Sequence, residues 1–235
     1  MEVVSPLLAD MRIDVNKQHI EDCTPFFKAC ENGREEIVAL LLPDPRSILI
    51  PQLMTLCTPL WFASQNGHLS IVQLILASGR EVDTTTKSIA GASGCNNTAA
   101  EIARYEGIRG KTEGGSEEDY TRKKKNGPFI AALIDSLDAE PAKTRKQLRE
   151  LPRIRDPFIG DLFALVVFLC DELLTVSPKS PSLKAARFFR IALFLPMELQ
   201  MLMCNRVFGS GKDHVLTKHS EPAFKGLGRL LAAVE

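Results

Sequence analysis

A period of 34 residues runs through the N-terminal part of the chain. Shifted by this distance, Cys23-Thr24-Pro25 superposes on Cys57-Thr58-Pro59, and Asn32-Gly33 superposes on Asn66-Gly67. Apolar residues and arginines repeat in the same register: Val4, Val38 and Val72; Leu7, Leu41 and Ile75; Leu8, Leu42 and Leu76; Arg12, Arg46 and Arg80. Turn residues and apolar positions that repeat together indicate successive copies of one small folding unit.

The second copy shows what that unit is. Thr58-Pro59 predicts the start of a helix, because proline at the first helical position needs no backbone donor and has φ already set. Asn66-Gly67 supplies the left-handed turn that ends a helix. The apolar residues of 71–76 then form one face of a second helix, which Gly79 closes. Such a hairpin has more apolar surface than it can bury alone, so it needs stacked neighbours.

This unit resembles an ankyrin repeat, whose period is about 33 residues and whose helix pair opens with proline and closes with glycine. The resemblance implies an ankyrin helix-hairpin solenoid. Helical patterns in the rest of the chain add a small C-terminal helical domain, so the predicted fold is all-α. It also implies a non-catalytic scaffold that binds another protein. Ankyrin units commonly carry Thr-Pro-Leu-His, and the chain has Phe27 and Trp61 in place of that histidine. We therefore expect both aromatic residues in the core between repeats, with Trp61 as a binding anchor as the alternative.

We predict that the repeats occupy residues 1–140 and the helical domain residues 141–235. The array is divided into a partial repeat at 1–22 and full repeats at 23–56, 57–97 and 98–140. The third repeat starts at Thr98 and has Ala99 in place of proline. Residues 1–22 match only the second half of a unit, so we expect either a longer array or a first helix frayed by Pro6.

An insertion interrupts the third repeat at residues 108–127. This stretch is polar, rich in glycine and densely charged, which predicts an exposed and mobile loop. It includes Arg122-Lys123-Lys124-Lys125. A solvated loop is the favoured interpretation of that run, and a nuclear-import or anionic-surface patch is the alternative.

Several helices are predicted after Pro128. Residues 129–137 supply the second helix of the third repeat, residues 142–150 a short charged helix, and residues 158–174 the most apolar and central one. Another amphipathic helix follows at 183–194, and Pro196 opens the next one. Ser220 is expected to cap the last helix, with Pro222 in its first turn.

One C-terminal segment favours a rival function. The sequence Leu195-Pro196-Met197-Glu198-Leu199 is similar to the opening of F-box motifs, and Ser220, Phe224 and Leu227 follow it downstream. That resemblance implies a substrate adaptor that docks on a ubiquitin-ligase scaffold. It covers about 37 residues and lacks the usual central spacing of those motifs.

Composition and motif spacing exclude several classes of function. Lysine plus arginine and aspartate plus glutamate both number 29, so the net charge is zero and nothing favours nucleic acid. The six cysteines include no CxxC pair and the four histidines no metal-binding spacing, so we predict reduced thiols, no metal and no cofactor. We likewise expect no membrane span, no small-molecule substrate and no enzyme. The predicted location is intracellular, in the cytoplasm or alternatively the nucleus.

Repeat geometry places the candidate partner-binding residues on the inner helices and on the hairpin fingers that project between units. The residues predicted to contact a partner are Arg46, Trp61, Gln65, Arg80 and Lys87. The finger at 47–51 is apolar, so it either collapses on a neighbour or contacts a partner.

Overall fold

The computed structural model describes residues 7–8, 10, 12–19, 23–44, 46–48, 57–88, 96–111, 115–175 and 183–232. Side chains at 183–186 and 229–232 are outside this description. Compact packing divides the chain into two units, residues 1–148 and 149–235. The division falls after Leu148, later than the boundary predicted after residue 140, and so most of the short charged helix lies in the first unit.

The described residues form helices, turns and irregular segments, and none of them lies in a strand. The helices are α1 (Pro25–Glu31), α2 (Glu35–Leu41), α3 (Pro59–Gln65), α4 (Leu69–Ala77), α5 (Ala99–Ile108), α6 (Glu117–Ala139), α7 (Pro141–Glu150), α8 (Pro152–Cys170), α9 (Leu183–Ala192), α10 (Met197–Val207) and α11 (Thr217–Ala232). The all-α prediction is confirmed.

Three threonines begin the first helix of successive repeats in the same way. The hydroxyls of Thr24, Thr58 and Thr98 each accept a hydrogen bond from the backbone N–H three residues later, at 3.2, 3.1 and 3.3 Å. At Thr98 the Glu101 carboxylate also accepts from the Thr98 N–H, which completes a capping box. This second bond compensates for Ala99, the residue that stands where the earlier units have proline.

The repeats stack in two layers. One layer contains the first helices, α1 on α3 and α3 on α5, and the other contains the second helices, α2 on α4 and α4 on α6. Apolar side chains between the layers are almost fully buried, among them Phe26, Leu60, Ile71, Ile75, Ile102, Ile130 and Ile134. Each hairpin therefore covers apolar surface that its neighbour leaves open, as the sequence period predicts.

The prediction of an exposed, mobile loop at 108–127 is wrong for the second half of that stretch, which is helical. Helix α6 begins at Glu117 after a Ser116 cap, and it packs closely on α5. The approach depends on Gly127, where a Cβ atom would lie 2.4 Å from the carbonyl oxygen of Ala103. Charge density in this stretch therefore reflects a partly exposed helix rather than a loop.

In the second unit, α8 packs against α10 and α11. Its buried residues Ile159, Phe163 and Val166 form a core with Ala192 and Cys204. A Cβ atom on Gly160 would lie 2.4 Å from the carbonyl oxygen of His219, so glycine permits the close approach of α8 and α11.

Two predicted helix starts in this unit need correction. The central helix begins at Pro152 and runs to Cys170, whereas the prediction placed it at 158–174. The last helix begins at Thr217, so Ser220 is buried inside it and does not cap it. Pro157 and Pro222 both lie inside their helices. Because proline normally occurs only in the first turn of a helix, the sequence suggested that each helix starts just before its proline.

Candidate functional site

Two of the predicted partner-binding residues, Arg46 and Arg80, bind the neighbouring repeat. The Arg46 guanidinium donates to the carbonyl oxygen of Leu8 at 2.8 Å, and that of Arg80 donates to Leu42 at 3.1 Å. Leu8 and Leu42 are themselves repeat equivalents. Both side chains are partly buried. Their hydrogen bonds hold one repeat on the next.

The preceding residues orient these arginines. Asp44 accepts from the backbone N–H, Nε and Nη2 of Arg46 at 2.9, 3.0 and 2.7 Å. The Arg46 guanidinium holds the pKa of Asp44 below its usual value. The equivalent Asp10 binds Arg12 through the same atoms, and in the third copy the Ser78 hydroxyl accepts from the Arg80 N–H at 3.2 Å. An acidic or hydroxyl residue two positions earlier therefore binds each arginine, and the guanidinium groups of Arg46 and Arg80 reach the preceding repeat.

The helix turns are linked from repeat to repeat as well. Asn66 Nδ2 lies 3.0 Å and His68 Nε2 3.2 Å from the carbonyl oxygen of Glu31, at the end of α1. In the third repeat, Arg122 and Asn126 of α6 donate to the carbonyl oxygens of Asn66 and Gly67 at 2.9 and 2.8 Å. Each turn is thus capped by polar side chains from the next unit.

Trp61 is not available to a partner, and its prediction as a binding residue is corrected. Its side chain is 2% exposed, and its indole Nε1 donates to the carbonyl oxygen of Asn97 at 3.0 Å. The ring also makes an edge contact with Phe62. Phe27 is equally buried and also makes an edge contact with Phe62, with 4.7 Å between the ring centroids. The two aromatic residues fill the core between repeats, which is the favoured sequence interpretation.

The other two predicted residues lie at the surface. Lys87 is exposed on the finger before α5, where its Nζ is 3.7 Å from a carboxylate oxygen of Glu101. Gln65 is half-buried at the end of α3. Its equivalents in the neighbouring repeats are Glu31, which is half-buried, and Tyr105, which is 41% exposed. We call Glu31, Gln65 and Tyr105 the inner-helix row.

A sequence comparison agrees with this geometry. The family model described as ankyrin repeats, in three copies, matches residues 1–86. Residues 1–86 are an ankyrin repeat array. The structural equivalence of Thr98 with Thr24 and Thr58 extends the same hairpin beyond the matched segment. Neither the curated proteins nor the solved structures gave a match to the chain.

A side-chain amide links two fingers of the ankyrin array, and a carboxylate orders a third finger from within. Asn16 donates from Nδ2 to the carbonyl oxygen of Arg46 at 2.6 Å and accepts from the N–H of Ile48 at 2.8 Å. Asp83 accepts from the N–H groups of Thr85 and Thr86, both at 2.9 Å. Ile48 is 47% exposed. Residues 49–51 of the apolar finger lie outside the described residues, so its collapse remains a prediction.

The basic run in α6 is not a free patch. Arg122 is bound to the carbonyl oxygen of Asn66 and to Asp119, and Lys123 Nζ lies 3.4 Å from the buried Glu106 carboxylate. Lys124 lies over the ring of Tyr120. The run is helical, and three of its four basic side chains already contact other groups of the chain. This argues against its use as an extended nuclear-import signal.

A second exposed surface lies at the corner between α9 and α10. We call Ile191, Leu193, Phe194, Met197 and Leu199 the apolar corner; their exposed fractions run from 36% to 87%, with Phe194 the highest. Buried Gln200 fixes the corner, because its Nε2 donates to the carbonyl oxygens of Ala192 and Leu195 at 3.1 and 2.9 Å. The F-box-like residues 195–199 lie in this corner.

Among the described residues, no group of three His, Cys, Asp or Glu side chains is placed to hold a metal ion. None of the described helices combines the length and the apolar character needed to cross a bilayer. None of the five described cysteines is in a disulfide, and Cys95 lies outside the described residues. Burial raises the pKa of Cys204 to about 12 and raises that of Cys30 as well, so neither is a reactive nucleophile.

Proposed function

We propose that the chain is a non-catalytic scaffold that binds another protein through the inner-helix row and the finger at Lys87. Ankyrin repeats are in general protein-binding modules, and the match at 1–86 supports that class of function. The finer placement rests on the inner-helix row. Its members occupy one equivalent position in three successive repeats and keep side-chain surface open to solvent.

The way the array is held together suits this role. The side chains of Arg46, Arg80, Asn66 and Arg122 each donate a hydrogen bond to a backbone carbonyl oxygen of another repeat. A surface fixed in this way loses little conformational freedom when a partner docks, so less of the interaction energy is offset by ordering. Rigid repeats thereby provide an extended surface that is ready to bind.

The row combines a carboxylate, an amide and an aromatic ring, so we expect it to bind a protein surface that has both polar and apolar groups. Tyr105 adds a rigid ring that is enriched at protein interfaces, and Arg109 lies 5.7 Å from its centroid. Glu31 and Lys87 add one acidic and one basic side chain to the proposed surface. The proposed setting is intracellular with reduced thiols and without a cofactor or a small-molecule substrate.

Affinity capture from a lysate of the native cell tests this proposal. The full chain is compared with a variant carrying Glu31→Lys, Lys87→Glu and Tyr105→Ala. The matched control carries Lys146→Glu, Glu150→Lys and Phe129→Ala, which change exposed residues of the same types outside the row. A partner held by the native chain and the control but lost by the row variant supports the proposal. Undiminished capture by the row variant would contradict the placement.

The apolar corner supports a second candidate, a substrate adaptor of a ubiquitin ligase. An apolar surface that stays exposed while its backbone is held by Gln200 is typical of a docking site. In this candidate the corner binds the ligase scaffold and the ankyrin array selects the substrate. Its test is binding to the purified scaffold protein that F-box motifs recognise, using Leu195→Asp with Leu199→Asp. Leu173→Asp is the control, because Leu173 is also exposed in this unit. Equal binding by both variants would exclude the adaptor role.

A further inference from the structure

A groove of about 620 Å³ opens beside α1, on the side that faces away from α3. Apolar residues from the partial repeat and from the first full repeat line it, including Leu7, Leu8, Ala29, Ile37 and Leu41. At its rim lie Lys28, Asn32 and Arg34. This surface is separate from the inner-helix row and was not found by sequence reasoning.

The array contains the same surface a second time, 34 residues later, and there it is covered. Pro25 is exposed, whereas its equivalent Pro59 is buried. Ile37 is half-buried, whereas Ile71 is 1% exposed. The difference arises because α1 packs on α3 and covers the second copy. Among the described residues no helix packs on α1 in the corresponding place.

The covered copy also shows which polar groups belong to the contact. Asn66 and His68, which correspond to Asn32 and Arg34, both point to the carbonyl oxygen of Glu31 at the end of α1. In the open copy, Asn32 Nδ2 donates to the carbonyl oxygen of Lys28 in its own helix. Arg34 is exposed. The open rim thus presents an amide and a guanidinium where the end of a helix is bound in the covered copy.

We propose that this groove binds one short amphipathic helix of a partner protein, seated on α1 as α1 is seated on α3. The apolar face of that helix lies on Leu7, Pro25 and Ile37, the apolar lining residues that keep surface open. Its C-terminal carbonyl groups accept from Asn32 and Arg34. The negative end of the helix dipole then meets the positive charge of the exposed Arg34, which favours this direction over the reverse.

A peptide taken from the chain itself is the probe. Residues 23–33 form α1 and its turn, and a hydrocarbon bridge between positions 28 and 32 restrains the peptide as a helix. The restraint is needed because a helix of seven residues is not stable alone. Both bridged positions line the groove side of α1 and face away from α3 in the chain, so the bridge leaves the contacting face free.

The measurement is a titration of the ¹⁵N-labelled full chain with this peptide, followed by backbone amide shifts. We expect saturable shifts at residues 7–41 and none at Gln65 or Tyr105. Asn32→Asp and Arg34→Glu each replace a donor by an acceptor at an exposed position, and each is expected to weaken binding by about tenfold. Lys146→Glu, an exposed charge reversal on α7, should bind as the native chain does.

Three results would overturn the proposal. The first is an absence of amide shifts at the highest peptide concentration, with the native chain folded and its thermal unfolding the same as that of the variants. The second is a set of shifts confined to the inner-helix row, which would favour the proposed function alone. The third is self-association of the chain without peptide that protects residues 7–41, since a second copy would then be the occupant.

Discussion

The Nη1 atom of Arg80 donates a hydrogen bond of 3.1 Å to the carbonyl oxygen of Leu42, in the preceding ankyrin repeat. The same guanidinium also donates to the carbonyl oxygens of Asp44 and Ser47. These carbonyl groups follow the end of α2, where no further turn of helix supplies donors. One arginine therefore satisfies three acceptors at a point where the backbone leaves its helix.

Arg80→Met should destabilise the array. The substitution keeps much of the apolar stem but removes every donor, so carbonyl groups in a partly buried place lose their partners. We expect the free energy of unfolding to fall by about 2–4 kcal/mol, the range of a few non-additive bonds from a charged donor. Urea unfolding followed by the fluorescence of Trp61, the single tryptophan of the chain, measures the change in this unit.

Arg12→Met is the matched control. Arg12 is the repeat equivalent of Arg80, but its side chain is 90% exposed and binds only Asp10 among the described residues. Exposed ion pairs contribute little to stability, so no measurable change is expected. Equal losses in the two variants would mean that the contacts of Arg80 with the preceding repeat do not matter.

Local signals allowed much of the array to be predicted. Thr24, Thr58 and Thr98 cap their own helices through bonds that span three residues, and such bonds depend on nearby sequence. Gly33 and Gly67 have φ of 68° and 70°, as the Asn-Gly pairs predict. These features repeat because every unit needs the same local geometry.

Residues 117–127 could not be predicted in the same way. Their composition is that of a loop, and their helix is stabilised by distant groups. Arg122 and Asn126 bind carbonyl oxygens more than 50 positions earlier, at Asn66 and Gly67. Gly127 breaks helical patterns in sequence, yet α6 requires it for close packing on α5. Neither requirement is visible until the two helices are placed side by side.

The contacts that Arg46 and Arg80 make between repeats were not predicted from their repetition. Arg46 and Arg80 recur in register, and the sequence analysis assigned them to a partner. A charged residue that repeats together with the core is better explained by a contact between repeats, because every unit makes that contact. The aspartate or serine two positions earlier was the additional signal, since Asp44 and Ser78 orient these arginines.

Gly127→Ala tests the packing of α5 on α6. Alanine favours a helix by about 1 kcal/mol over glycine, but its Cβ would lie 2.4 Å from the carbonyl oxygen of Ala103. Because that oxygen belongs to the backbone, the helices must separate, and we expect a net loss of about 1–3 kcal/mol in thermal or urea unfolding. Gly110→Ala, where a Cβ atom meets nothing within 4 Å, should be neutral or slightly stabilising. A stabilised Gly127→Ala chain would disprove the close approach.

The accessibility of the thiols gives a chemical test of both units. Cys23, Cys30, Cys57 and Cys204 are buried, whereas Cys170 is partly exposed. In a chain carrying Cys95→Ser, iodoacetamide should therefore modify Cys170 first, with the four buried thiols protected until the chain is unfolded in urea. Peptide mass spectrometry at successive times gives the order. Early modification of Cys57 would show that the contact between the repeats opens readily, contrary to its burial.

His68 should make the stability of the array depend on pH. Burial lowers the pKa of His68 below its ordinary value of 6.5, and the nearby Arg122 charge lowers it further. The unfolded chain therefore takes up a proton before the folded one does, so stability is full above about pH 6.5 and falls as the pH decreases toward the folded pKa.

His68→Gln keeps a donor for the carbonyl oxygen of Glu31 but does not titrate. Burial also lowers the pKa of His219, so the decisive quantity is the difference between the native chain and His68→Gln. Urea unfolding by Trp61 fluorescence between pH 7.5 and about 5 should show a steeper loss in the native chain, and parallel curves would contradict the assignment.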